Sequence, residues 1–197
     1  MEMKGWKDEQ RFASAKEKLQ NEKFRSISRF LFELVVVLLF AALTAVLMFQ
    51  SVTMQESSME PTISVGDKFF MNRLIYKVSS PKRGDIIVFR TNASDDAALH
   101  IRRVIALPGE TVQISDGMII IDGRLYKEGK GFPSISNPGL AASPITLDNN
   151  EYFVLGDNRN NSEDSRYGDI GLINKRYIVG KLWFTVSPVK KLGFLKG

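Results

Sequence analysis

The sequence predicts a mainly β fold, a domain of antiparallel hairpins behind one N-terminal transmembrane helix. Three observations predict it. Residues 30–49 are apolar except for Glu33 and Thr44. Two Asp-Gly pairs, Asp116-Gly117 and Asp122-Gly123, separate short runs rich in β-branched residues, the strongest local signal for a two-residue hairpin. Beyond the apolar run, no long helical pattern occurs.

Taken in order, residues 1–29 carry eight Lys/Arg against five Asp/Glu and read as a polar tail. The apolar run follows. About twenty residues at about 1.5 Å each cover roughly the hydrocarbon thickness of a bilayer, so residues 30–50 are expected to span it. Lys23, Arg25 and Arg29 precede the run and residues 50–55 begin without charge, which places the N-terminus in the cytoplasm and residues 51–197 outside. The outer part reads as strands over 68–75, 86–89, 99–107, 111–115, 118–121, 124–127, 151–155 and 177–186, each bounded by turn residues. Residues 128–150, rich in Gly, Pro, Ser and Asn, read as an irregular insertion without a core of its own.

Composition removes several chemistries. The chain has no Cys and one His, His100, in 197 residues. That excludes a thiol nucleophile, a disulfide framework, a Cys-ligated zinc and a multi-His metal site; no cofactor and no metal is expected. The net charge of +5 is compatible with an anionic surface. Outside the tail the basic residues are scattered and no recognition motif appears, so no nucleic-acid partner is expected. The chain reads as a monomer.

With Cys absent, the candidate nucleophiles are Ser and Thr, and a serine needs a base within hydrogen-bond reach. The stretch Ser57-Ser58-Met59-Glu60-Pro61-Thr62 is a poor helix and a poor strand, because Pro61 fixes its own φ and pushes Glu60 from the α region. Such a turn holds a hydroxyl at the edge of a sheet. A Ser-His-Asp arrangement would need His100; Ser-Lys pairs are the other solution. His100 and Arg102 share one face of their strand, and Ile101 and Arg103 the other. Residues 156–166, Gly-Asp-Asn-Arg-Asn-Asn-Ser-Glu-Asp-Ser-Arg, form a dense polar loop after an apolar strand.

Four stretches together resemble type I signal peptidases of the bacterial Ser-Lys kind, membrane-bound serine endopeptidases that remove signal peptides from exported preproteins. They are Ser58-Met59-Glu60-Pro61-Thr62, Arg83-Gly84-Asp85-Ile86-Ile87-Val88-Phe89, Arg103-Val104-Ile105-Ala106-Leu107-Pro108-Gly109-Glu110, and residues 156–166. The resemblance runs from the apolar helix to about Phe194. It implies a β-rich catalytic domain with a small variable β insertion, held at the bacterial plasma membrane and acting outside it. Ser58 matches the nucleophile, Met59 packs beneath it, and Ser162 matches the hydroxyl that positions the base. Arg103 matches the partner of Asp157, and Asp164 with Arg166 matches a structural ion pair. The implied substrates end in small residues at alternate positions, the A-x-A pattern. Val88, Phe89 and Ile101 are expected to line the pockets beside Ser58. Trp183, Phe184, Leu192, Phe194 and Leu195, with Lys190, Lys191 and Lys196, suit either a lipid surface or, for Trp183 and Phe184, ordinary core.

Two positions depart from the pattern. Arg102 stands where bacterial members carry the lysine base, and an arginine keeps its proton, with a pKa above about 12. Glu56 stands where some members supply a small hydroxyl residue to the oxyanion hole. Its carboxylate would repel an oxyanion, pair with Arg102, or face solvent and leave the Ser58 N–H as donor. Three readings remain open: a peptidase with a substitute base, His100 or another group; a slow peptidase in which Arg102 orients Ser58 or water; or a non-cleaving paralogue that binds signal peptides.

Overall fold

The computed structural model describes residues 23–44, 49–92, 94, 97–129 and 131–195. They form two separate units, one ending at Leu47 and one beginning at Met48.

In the first unit, helix α1 (Lys23–Thr44) is 22 residues long and fully exposed along nearly its whole length, and by length and composition it suffices to cross a membrane. It already includes the seven described residues before the expected start at residue 30. The polar stretch Lys23-Phe24-Arg25-Ser26-Ile27-Ser28-Arg29 contains no Gly or Pro to stop the helix, so it extends into what reads as tail. Residues 1–22 of the expected tail and residues 45–48 lie outside the described residues. At the other end Phe49 and Gln50, expected inside the span, already belong to a strand.

The second unit is mainly antiparallel β. Its large sheet contains β1 (Phe49–Thr53), β2 (Lys68–Asn72), β3 (Ile86–Phe89), β4 (His100–Ala106), β9 (Glu151–Leu155), β10 (Ile173–Asn174), β11 (Ile178–Ser187) and β12 (Gly193–Phe194), in the order β1-β2-β11-β3-β4-β9-β10 with β12 on β11. A smaller sheet contains β5 (Thr111–Ser115), β6 (Met118–Ile121), β7 (Arg124–Leu125) and β8 (Ile145–Thr146), in the order β7-β6-β5-β8. The expected strand over 68–75 stops at Asn72. There the Asn72 Oδ1 accepts the N–H groups of Leu74 and Ile75 and starts the short helix α2 (Ile75–Val78).

Strand β3 is buried on both faces, as a short continuous apolar run requires. Ile86 and Val88 join Met54, Met59, Phe69 and Ile101 in one core, while Ile87 and Phe89 join Tyr76, Val104 and Tyr152 in another. A third core lies under the small sheet. The insertion expected over 128–150 is only partly irregular: Ile135, Ala141 and Leu147 are buried in that third core with Val112, Ile114 and Ile119 of the hairpin. Its apolar residues are spaced too widely for periodicity to reveal them, yet they close the core of the small sheet.

Candidate active site

The Ser58 turn leaves β1 and returns to β2, closed at its neck by Met54 N–H donating to Asp67 O and Gly66 N–H to Met54 O, each 2.9 Å. Met59 is wholly buried and anchors the turn in the core beneath Ser58. The polar loop of residues 156–166 grips the turn from above. Asn158 N–H donates to Ser58 O at 3.0 Å, and the Asn158 side-chain amide donates to Ser57 O at 3.1 Å. Gly156 makes this approach possible, since a Cβ there would collide with Ser58 O and with the Ser162 side chain.

Strand β4 brings two consecutive arginines to this corner. Arg102, with no exposed surface, donates from Nη1 to Ser58 Oγ at 2.7 Å, to Glu56 Oε1 at 2.6 Å and to Ile101 O at 2.7 Å. Its Nε donates to Glu163 O at 2.8 Å. Glu56 therefore pairs with Arg102, one of the three arrangements open to it, and its side chain keeps 42% of its surface. Arg103 makes a two-pronged pair with Asp157, 2.7 Å for each bond, and its third nitrogen reaches Gly84 O. Asp164 accepts two bonds from the Arg166 guanidinium, at 2.8 and 2.9 Å, and one from Gly156 N–H at 3.0 Å. The carboxylates of Asp157 and Asp164 are buried and paired, which is how a charge survives burial.

Ser162 differs from its expected role. Its hydroxyl is buried beside Gly156 and finds no hydrogen-bond partner, while Glu163 O takes the Arg102 Nε that a positioning group would hold. Val88 and Phe89 are wholly buried in the two cores, so neither presents a surface to a substrate. As a strand between two neighbours, β3 has no free edge. Ile101, 4% exposed, does reach a cleft of about 540 Å³ lined by residues 50–56 and 98–101. The cleft ends at Glu56 and Ile101, the residues that share Arg102 Nη1 with Ser58. Ser58 itself keeps 4% of its surface. Among the described residues its backbone N–H donates to nothing, which leaves it free as an oxyanion donor.

His100 stacks on Phe89 with ring centres 5.7 Å apart. Burial lowers its pKa, the Arg102 charge lowers it further, and Glu56 and Glu163 oppose the shift. No hydrogen bond joins it to Ser58 among the described residues.

Residues 27–187 match the family model described as signal peptidase, peptidase S26. The chain belongs to that family. It is 34% identical to the probable signal peptidase I-2 of Synechocystis over 71% of its own length and 63% of that protein's, so it spans less than two thirds of that relative. With signal peptidase I T of Bacillus subtilis it shares 33% identity over 81% of its length and 84% of the relative's. A crystal structure of a signal peptidase I from Enterococcus faecalis aligns with 53% of this chain and 98% of that one, at 29% identity and a TM-score of 0.41. As a member of that family the chain is a hydrolase of the serine peptidase type, and its N-terminal apolar helix fits a membrane-anchored protein.

Sequence reasoning missed Arg159. Only 1% exposed, it makes a two-pronged pair with Glu128, donates from Nε to Gly156 O, and lies 4.3 Å over the Phe132 ring. The pair ties the insertion to the loop that holds Ser58. No local pattern announces a contact between residues 31 positions apart. Asn158 was missed for a related reason: an Asn in a polar loop reads as solvated until its partner is known.

Proposed function

We propose that this chain is a membrane-anchored serine endopeptidase that removes N-terminal signal peptides from exported preproteins after small residues, with Ser58 as the nucleophile. The observation that carries the reading is the Ser58 hydroxyl held 2.7 Å from Arg102 Nη1, whose other acceptors Glu56 and Ile101 line a cleft between residues 50–56 and 98–101. β1 pairs on one side only, with β2, and His100 to Arg102 pair with β3 but not with β9. An extended peptide entering between these edges gains main-chain hydrogen bonds from both, and pockets then read alternate side chains. Ser58 Oγ attacks the scissile carbonyl, the Ser58 N–H takes the developing oxyanion, and water later releases the acyl group. Arg102 keeps its proton and acts as a fixed positive charge beside the oxygen.

In this reading residues 1–29 stay in the cytoplasm, the apolar helix crosses the plasma membrane once, and residues 51–197 work outside as a monomer. Support for contact with lipid comes from Phe194, 70% exposed, packed on Trp183 and Phe184 beside Lys190 and Lys191. Such a mixture of rings and cations suits the interface.

A second reading, a non-cleaving paralogue that binds signal peptides, is favoured by the small exposure of Ser58 and by a guanidinium that donates into its oxygen. Incubating a labelled secretory precursor with the detergent-solubilised full chain separates the two. Cleavage that disappears in Ser58→Ala supports the peptidase. Absence of cleavage by the wild type, with cleavage by Arg102→Lys, supports the binder.

A further inference from the structure

We propose that Glu56 is the general base of this peptidase, taking the Ser58 proton that Arg102 cannot accept. The inference rests on Ser58 being the nucleophile. Arg102 Nη1 carries two hydrogens yet has three oxygens within 2.6–2.7 Å: Ser58 Oγ, Glu56 Oε1 and Ile101 O. One of the three must be displaced from a direct N–H direction. Ile101 O is fixed by the strand, and the hydroxyl alone among them carries a proton it can turn. Both oxygens lie within 2.7 Å of the same nitrogen, and no hydrogen bond joins them among the described residues; catalytic contacts of this kind often form only once substrate closes the site.

The other groups at this corner do not qualify. Among the described residues the Glu163 carboxylate makes no hydrogen bond to Arg102 or Ser58, Arg102 meeting only its backbone carbonyl; Ser162 offers an unpartnered hydroxyl, and His100, stacked on Phe89, makes no hydrogen bond to Ser58. Glu56 is the one ionisable acceptor on the nitrogen that Ser58 touches, and its side chain is 42% exposed and lines the cleft. It therefore has room to reach both the nucleophile and the leaving group. As the Ser58 Oγ–carbon bond forms, the Glu56 carboxylate takes the hydroxyl proton. As the peptide C–N bond breaks, the carboxylic acid returns that proton to the departing amine. A water attacks the acyl-enzyme with the carboxylate again as base, and Ser58 recovers its proton. Arg102 stays charged throughout and holds the alkoxide.

The test compares precursor cleavage by wild type, Ser58→Ala, Glu56→Gln, and Glu56→Ala alone, with sodium formate and with sodium chloride. The expected result is a loss of about 10²-fold or more in kcat for Glu56→Ala. Formate should restore activity in proportion to its concentration, and should do nothing for Ser58→Ala. If Glu56 only neutralises Arg102, chloride, an anion with no useful basicity, restores Glu56→Ala as well as formate does, and the proposal is overturned. It is equally overturned if Glu56→Ala cleaves within about threefold of wild type while Ser58→Ala is dead, an outcome that leaves the nucleophile intact. Wild type indistinguishable from Ser58→Ala would instead remove the peptidase reading itself, and this inference with it. Thermal unfolding of each variant identifies loss by misfolding, and Glu56→Gln, which keeps an acceptor for Arg102 but cannot take up the proton, decides the question if Glu56→Ala is unfolded: cleavage within about threefold of wild type overturns the proposal.

Discussion

Arg102 and Arg103 are consecutive on β4, both buried, and held in opposite ways. Arg103 spends Nε and Nη2 on the two oxygens of Asp157, itself wholly buried, and its third nitrogen on Gly84 O. Arg102 crowds three acceptors onto one nitrogen, reaches Glu56 from Nη2 only at 3.4 Å, and has a partner that is half in solvent. A saturated pair is a brace. An oversubscribed pair with one exposed member can change partners, and a reaction needs that freedom. Burial of charge alone does not tell the two apart; the arithmetic of donors and acceptors does.

The largest expected effects oppose each other at the two arginines. Asp157→Ala leaves the Arg103 charge buried and unpaired, at a cost of about 3–5 kcal/mol, and lowers the unfolding midpoint by about 10 °C. Ser58→Ala should abolish cleavage yet move stability by less than about 1 kcal/mol, since two acceptors remain for the two hydrogens of Arg102 Nη1. Thermal unfolding of both variants in detergent checks the contrast. Equal losses would erase it.

A smaller effect sharpens the boundary between brace and reactive corner. Ser162 Oγ is buried and unpartnered, so Ser162→Ala should be neutral or stabilising by up to about 1 kcal/mol, with cleavage within about threefold of wild type. A tenfold fall in kcat at unchanged stability would mean that the hydroxyl engages the site once substrate is bound.

The smallest effect concerns His100, the chain's single imidazole and therefore a resolved NMR probe. Its folded pKa lies below 6.5, from burial first and the Arg102 charge second. The unfolded chain then takes up the proton before the folded one as the pH falls. The associated stability is complete above about 6.5 and is lost as the pH drops through the lowered folded value. His100→Gln should flatten stability in that window. Glu56→Gln should move the His100 titration lower still, because the Glu56 charge opposes the shift.

Much of this architecture was readable from local chemistry. Asp116-Gly117 and Asp122-Gly123 both adopt positive φ, 52° and 73° then 50° and 73°, and join β5 to β6 and β6 to β7 as two-residue turns. Ile86 to Phe89 forms the buried strand that its composition requires. The start of β1 was hidden because apolar residues run into it with no charge to mark a boundary. At the site, the pairs Arg103–Asp157 and Asp164–Arg166 form between residues that the motif resemblance had named, but the Arg159–Glu128 clamp joins distant segments and leaves no periodic trace. The exclusion of Val88 and Phe89 from the cleft depended on which strand faces were covered, a property of the sheet order and not of either residue.

The most direct measurement is N-terminal sequencing of a secretory precursor after incubation with the full-length wild type and with Ser58→Ala. A new N-terminus following a small residue is expected with the wild type, and an untouched precursor with the variant. An intact precursor in both reactions, or the same new N-terminus in both, would contradict a peptidase built on Ser58.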